Sequence, residues 1–346
     1  MQIAIQLVLV LVLFADPVFS CSVFMVTDGS KTFLGNNEDE TNSYSVETFI
    51  PPANGKYGYF YMESPHDPSD ANPSHEPPMI EHYPQGGMND QGLAYDITFT
   101  PLKGSRQMKF APGLKVLDPS GEYQGYVLRK VLAEAATVEE AIRIIQQYVV
   151  PEFFTIQVFL ADKGGHSAVL GIGKDDYLSV IRNSKNYQVL TNYSQADKEN
   201  SIILDQRADI ASDMLKEDSS VNVGNFLSVM AAIHVEGLSS TVYSTVYNLN
   251  NADINFYYFH NFQKSVKMNL NEELKKGKHS FVMSSLFKPI FAQTTTSAMS
   301  ATFSGLVRKL EACRDELPKP GAKPVSAAPV KRGAPKAQGS APALKP

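Results

Sequence analysis

The chain has no tryptophan and only two cysteines, Cys21 and Cys313, among 346 residues. Two cysteines cannot build a disulfide framework, even in an oxidising compartment. Beyond residue 20 no apolar run approaches the roughly 20 residues that cross a bilayer, so no membrane span is expected. From Lys319 to Pro346 there is no acid and there are six basic residues; with a net charge of −5, the remainder carries −11. A globule this acidic is a poor partner for nucleic acid. No internal repeat is visible.

What is present is an ordinary globular composition, 43% hydrophobic and 19% charged, with tyrosine and phenylalanine as the aromatics. Residues 1–20 form an apolar leader. Its core, Leu7 to Ala15, is too short to span, Pro17 breaks it, and Val18 and Ser20 suit the −3 and −1 positions of a signal-peptide cut. The leader lacks Lys and Arg ahead of that core. We expect cleavage at Ser20/Cys21 and a secreted or periplasmic protein.

Such a cut leaves a cysteine with both a thiol and a free α-amine. The amine has a reference pKa near 8, so an appreciable fraction is unprotonated at neutral pH and can act as base toward its own thiol. Four readings of Cys21 stand open: an N-terminal nucleophile, a lipid-modified cysteine, a disulfide with Cys313, or a passive buried thiol. Phe19 argues against lipidation, because such sites favour a small residue there.

In chain order, Ser22–Val26 and Thr32–Leu34 read as strands around a turn at Asp28–Lys31. Val46–Ile50 and Tyr57–Tyr61 read as two more. Residues 64–86, rich in proline and holding His66, His75 and His82, read as a loop. No pair there has ligand spacing, so no metal is expected. Gly86–Ala94 reads as a turn feeding the strand Ala94–Phe99. Helices are expected at Val127–Ala136 and from Thr137, where Thr137 and Glu140 form a capping box. Strands follow at Phe154–Leu160, Ser167–Gly171, Tyr177–Ile181 and Tyr187–Thr191, with a hairpin turn at Asp162–Gly165. Residues 199–216 read as a helix with Ile202, Leu204, Ile210 and Leu215 toward the core. Asn225–Ile233 is another helix, Val242–Tyr247 and Ile254–His260 a hairpin, and Asn271–Lys276 a short helix. Residues 280–291 and 300–312 are weaker apolar stretches. From about Pro318 the composition cannot offset its ordering entropy, so residues 318–346 are expected to be disordered. The order points to an α+β fold with antiparallel sheet and helical layers, in one domain over residues 21–317.

Two further residues matter if Cys21 is a nucleophile. Asp39 ends the strand after Cys21 and returns toward it. Asn192 ends a strand, where its amide can point into a cleft; it also opens the sequon Asn192-Tyr193-Ser194. A cation near the site would also serve. Taken alone, Asp39 reads first as a turn acid and Asn192 as a strand-ending turn residue.

Their joint order resembles the linear amide C–N hydrolases, the family of bile-salt hydrolases and penicillin V acylases. Cys21-Ser22, Gly35-Asn36-Asn37-Glu38-Asp39, Gly87-Met88-Asn89-Asp90-Gln91-Gly92-Leu93-Ala94 and Val189-Leu190-Thr191-Asn192 carry the likeness. The resemblance covers most of residues 21–260. It implies an αββα N-terminal nucleophile sandwich with no cofactor. It makes Cys21 the nucleophile, Asp39 the partner of its amine, and Asn192 an oxyanion-hole donor. Phe99 falls on the second oxyanion position, where it contributes a backbone N–H, and Arg207 stands for a late active-site arginine. The family usually has Arg where this chain has Asn36, which can hydrogen-bond near the substrate but carries no charge. The expected function is hydrolysis of a linear, non-peptide amide, with acyl transfer open, a small N-acyl amide as substrate, and room for a homo-oligomer. The alternative is a secreted or lipid-anchored binding protein on a degenerate hydrolase fold.

Overall fold

A computed structural model describes residues 21–40, 43–65, 82–100, 102–103, 108–150, 153, 155–202, 205–237 and 239–287. The leader, residues 66–81 of the proline-rich stretch, residues 300–312, Cys313 and the basic tail lie outside the described residues.

The strands are β1 (Ser22–Thr27), β2 (Thr32–Glu40), β3 (Val46–Ile50), β4 (Tyr59–Pro65), β5 (His82–Asn89), β6 (Leu93–Phe99), β7 (Ile156–Asp162), β8 (Ser167–Ile172), β9 (Leu178–Arg182), β10 (Tyr187–Leu190), β11 (Ser240–Asn248), β12 (Asp253–Tyr258), β13 (Ser265–Asn269) and β14 (His279–Val282). The α-helices are α1 (Val127–Glu134), α2 (Val138–Ile145), α3 (Arg207–Glu217), α4 (Val223–Ile233) and α5 (Leu270–Leu274). Two antiparallel sheets result, one of six strands ordered β10-β1-β2-β11-β12-β13, the other of eight ordered β14-β3-β4-β5-β6-β7-β8-β9.

Alternation along β1 shows how the layers stack. Val23 and Met25 join the core between the sheets, with Phe60, Met62 and Phe159. Phe24 and Val26 face the other way, onto Ala211, Phe226 and Met230 of α3 and α4. The far side of the eight-stranded sheet packs on α1 and α2 through Tyr95, Val131, Leu132 and Ile142. The layers are therefore helix, sheet, sheet, helix, and the central strands are apolar on both faces. Each fully buried large side chain contributes about 1.5–3 kcal/mol. Phe226 stacks on Phe24 with ring centroids 4.8 Å apart, fixing α4 over β1.

Several local expectations need correction. Residues 64–86 are not loop throughout: β4 runs to Pro65 and β5 begins at His82. The register shifts between Met62 and Glu63, and this irregularity lies beside Pro84, which has no N–H for the ladder. Gly86 and Gly87 lie in β5, not in a turn. A Cβ on Gly87 would come within 2.3 Å of the Phe60 carbonyl, so glycine lets two strand backbones close up. The turn is confined to Asp90–Gly92, and Gly92 takes φ +81° there. The helix expected over 199–216 begins only at Arg207; Lys198–Asn200 is a separate 3-10 turn. That later start moves the buried face to Ala208, Ala211 and Leu215, leaving Ile202 and Ile210 exposed. The polar edge strand β13 has too little hydrophobic patterning to be read from sequence. The Thr137 cap forms as expected, accepting the Glu140 N–H at 3.3 Å, while Glu140 reaches back to the Ala136 N–H at 2.8 Å.

Candidate active site

Cys21 immediately precedes β1. The β1–β2 ladder pairs Ser22 with Asn37 and Val23 with Asn36, so Cys21 comes opposite Glu38. Its thiol is free and buried, and Sγ donates to Glu38 Oε1 at 3.4 Å. Strand alternation puts this contact on the inter-sheet side. Burial raises the thiol well above its ordinary pKa, and the nearby Glu38, Asp39 and Glu40 raise it further; the Asp39 backbone N–H works against them. Burial likewise raises Glu38 and Asp96, and Asp96 is the neighbouring charge that most opposes ionisation of Glu38. Burial and mutual repulsion both hold these carboxyls toward their protonated forms.

The other side of Cys21 is built by Arg207. Asp205 accepts the Arg207 backbone N–H at 3.0 Å, which starts α3 at this residue. The side chain therefore leaves the first helical position rather than a helix interior. Its Nη1 donates to Asp39 Oδ2 at 2.8 Å. Nη2 donates to Asn192 Oδ1 at 2.9 Å and reaches the Cys21 carbonyl at 3.5 Å. Asp205 holds the guanidinium from behind, with Nε to Oδ1 at 2.9 Å and Nη2 to Oδ2 at 2.5 Å. Thr241 donates its hydroxyl to the other oxygen of Asp39. Burial lifts Asp39 to about 7, against the pull of Arg207 and of these hydrogen bonds.

Asn192 is fully buried. Arg207 takes its oxygen, so the amide nitrogen must point the other way, where Nδ2 donates to the Phe99 carbonyl at 2.7 Å. With both ends of its amide engaged in the interior, Asn192 is not a glycan acceptor despite its sequon. Phe99 ends β6, so this bond ties the two sheets together beside Cys21. Asn36 is buried too; its Oδ1 accepts the Thr245 N–H at 3.2 Å and the Thr245 hydroxyl.

The sequence-derived set thus converges: Arg207 links Asp39, Asn192 and the Cys21 backbone, and Asn192 reaches Phe99. Asn36 lies two residues before Glu38 on the same face of β2. Four residues were not anticipated: Glu38, Asp96, Asp205 and Thr241. Glu38 had a signal, because period-two alternation from Asn36 places it on the thiol's face. The Ser22 hydroxyl, Asn36 Nδ2, Glu38 Oε2, both Asp96 oxygens and the Tyr243 hydroxyl are buried without a hydrogen-bond partner among the described residues. Each such atom costs about 1–3 kcal/mol. The Ser22 hydroxyl lies on the helix side of β1, with Phe24; the others line the space between the sheets at Cys21 with polar groups awaiting donors and acceptors.

The family model described as acyl-coenzyme A:6-aminopenicillanic acid acyl-transferase matches residues 26–209, just over half of the chain. The chain belongs to this family. The matched span includes Asp39, Asn192 and Arg207 and begins after Cys21. Comparison with curated proteins returned no match. Among solved structures, a mutant of the conjugated bile acid hydrolase from Clostridium perfringens aligns with a TM-score of 0.54 and 17% identity, covering 76% of this chain and 96% of that one. Another variant of the same enzyme gives 0.55 and 18% over the same shares. Penicillin V acylase from Agrobacterium tumefaciens gives 0.50 and 18%, covering 69% of this chain and 83% of that one. These likenesses bear out the αββα sandwich fold of the N-terminal nucleophile hydrolases, and the family model is that of an acyl-transferase.

Proposed function

We propose that the mature protein starts at Cys21 after export and transfers the acyl group of a small N-acyl amide through a Cys21 thioester, with water as the acceptor. The observation that carries this reading is the single guanidinium of Arg207, which bridges Asp39, Asn192 and the Cys21 carbonyl at 2.8, 2.9 and 3.5 Å.

Cleavage converts the Cys21 amide nitrogen into an amine that can bind a proton. An α-ammonium brings three N–H donors and a positive charge into a region holding Glu38, Asp39 and Asp96. It answers the unpartnered Glu38 oxygen and favours the thiolate that these acids oppose. The thiol proton passes to the amine, and the thiolate attacks the acyl carbonyl. Asn192 Nδ2 donates to the resulting oxyanion. The charged oxyanion competes well for this donor against the neutral Phe99 carbonyl, because hydrogen bonds to ionised acceptors are roughly twice as strong. In this reading the Phe99 N–H is the second donor, and Asn36 Nδ2 faces the substrate. The α-ammonium then protonates the leaving amine. Water attacks the thioester, with the amine again acting as base, and releases the acid.

The test is intact-mass analysis of the mature protein mixed with an activated acyl ester. A single acyl adduct, mapped to Cys21 and lost over time, is expected; acylation elsewhere, or none, would sink the reading.

A pH profile gives a second check. Asp39 stands at about 7 while Cys21 is still preceded by peptide. The ammonium added by cleavage lowers it, since an adjacent cation favours the carboxylate. As pH falls through these pKa values, Asp39 loses its charge and the amine, near 8, becomes fully protonated. The kcat/KM should therefore fall about tenfold per pH unit below an apparent pKa of about 7–8. Asp39→Asn should lower the plateau and move that limb. An unmoved limb would remove Asp39 from the mechanism.

A further inference from the structure

Three metal-ligating side chains meet at the C-terminal end of α4. His234 follows the last helical residue, Glu236 comes two residues later, and His260 lies just beyond β12. One ligand atom from each lies within 4.8 Å of the other two. The two imidazole rings are 5.0 Å apart between centroids.

The hydrogen bonds around His234 define its state. Nδ1 lies 2.6 Å from the Ala231 carbonyl, which only accepts, so Nδ1 carries a proton. Nε2 then faces Glu236 Oε1 at 3.1 Å. A bare lone pair against a carboxylate oxygen at that distance is repulsive, so a proton or a metal cation belongs between them. His260 favours the metal. Its Nδ1 is buried and has no hydrogen-bond partner among the described residues. Phe259 and His260 both sit in the left-handed region, at φ +48° and +43°, where non-glycine residues are strained. A proton on His234 answers Glu236 alone. A cation at the common centre is within reach of a ligand atom from all three residues.

We propose that His234, Glu236 and His260 bind one divalent transition metal ion, Zn²⁺ foremost, with solvent completing a tetrahedral shell. Two imidazoles and a carboxylate suit this borderline ion. The Nδ1–H to carbonyl bond of His234 is the outer support that metal-bound histidines usually have. The Glu236 side chain is 73% exposed, which leaves an entry path. Val235, between two of the ligands, donates its N–H to the Thr241 hydroxyl at 2.9 Å and accepts the Thr241 N–H at 2.9 Å. That hydroxyl also holds Asp39. The ion would clasp the α4–β11 connection to the end of β12 and hold Thr241 in place; it has no part in the acyl chemistry.

The test uses the mature Cys21→Ala protein, so that the nucleophile's thiol offers no competing ligand. After chelator treatment it is titrated with Zn²⁺ alone, by calorimetry and elemental analysis. One ion per chain is expected, with a Kd of about 1 μM or tighter. Co²⁺ should give the intense visible bands of four-coordination. Outer-shell changes alone cost about 10–100-fold in metal affinity, so Glu236→Gln and His260→Ala should each cost at least about tenfold. Glu236→Gln changes an exposed side chain, and it decides the matter if His260→Ala fails to fold. No saturable binding, a Kd weaker than about 100 μM, or unchanged affinity in Glu236→Gln would overturn the site. None of these outcomes depends on amidase activity.

Discussion

Cys21→Ala in the mature protein is expected to lower kcat/KM by about 10⁴-fold or more while the fold survives. Alanine keeps the N-terminal α-amine, so the change separates nucleophile from base. Removing one member of a nucleophile–base unit costs nearly as much as removing the unit, because the remaining groups have nothing to activate. In the proposed mechanism Asn192 and Phe99 still bind the carbonyl, which leaves a small residual rate. The structural cost is modest. One sulfur is lost beside the inter-sheet core, and Glu38 Oε1 loses its donor, together about 1–3 kcal/mol. Glu38 already holds its proton more tightly than an ordinary carboxyl, which limits that penalty. The checks are initial rates on an N-acyl amide and a thermal melt of the same sample. Rates within tenfold of the parent would exclude a Cys21 thioester, whatever the melt shows.

Arg207→Ala is expected to damage fold and activity together, and more severely for the fold than any other change at the site. The Asp39 side chain is fully buried, that of Asp205 is 6% exposed and that of Arg207 14% exposed. Removing the guanidinium leaves two buried carboxylates with little water and without the cation that bridges them. Breaking a buried pair in this way costs about 3–5 kcal/mol, which for a domain of this size lowers Tm by about 10 °C. Asn192 loses the donor that holds its oxygen, so its Nδ2 is no longer aimed and the rate should drop by about 10²–10³-fold. Arg207→Lys should recover only part of both losses, because an ammonium cannot serve Asp39, Asn192 and Asp205 with one planar fork. The stability loss should shrink at pH 5. There a larger share of Asp39, whose carboxyl burial raises, is protonated, so less ion-pair energy remains to lose. Melting curves at pH 5 and pH 8 check this. An equal loss at both would mean that Asp39 is not the carboxylate Arg207 compensates.

Much of the site was legible because its parts are local. Cys21, just before β1, and Asp39 of β2 flank a hairpin turned at Asp28–Lys31, and alternation with a short turn suffices to bring them together. Asn192 could be read from the end of an apolar strand. Glu38 was passed over although it stands between two residues singled out on the same strand. The turn misplaced at Gly86-Gly87 shows a limit of composition: paired glycines permit a tight turn and close strand packing alike, and only the Phe60 backbone decides which. The helix boundary before Arg207 was missed because apolar periodicity suggested a start at 199, whereas the Asp205 carboxylate sets it at Arg207.

By itself the sequence determined the alternation of strands and helix pairs, the position of Cys21 directly after an apolar run, and the order of Cys21, Asp39 and Asn192 along the chain. The tertiary structure alone decided that Arg207 joins all three, that Thr241 closes on Asp39 from 202 residues away, and that Glu38 and Asp96 share the dry space beside the thiol. The physical reason is register. A shift of one residue between strands turns every side chain to the opposite face, and the register of β2 against β11, or the approach of β6 to β2, is settled by packing across the whole core rather than by any local run of residues.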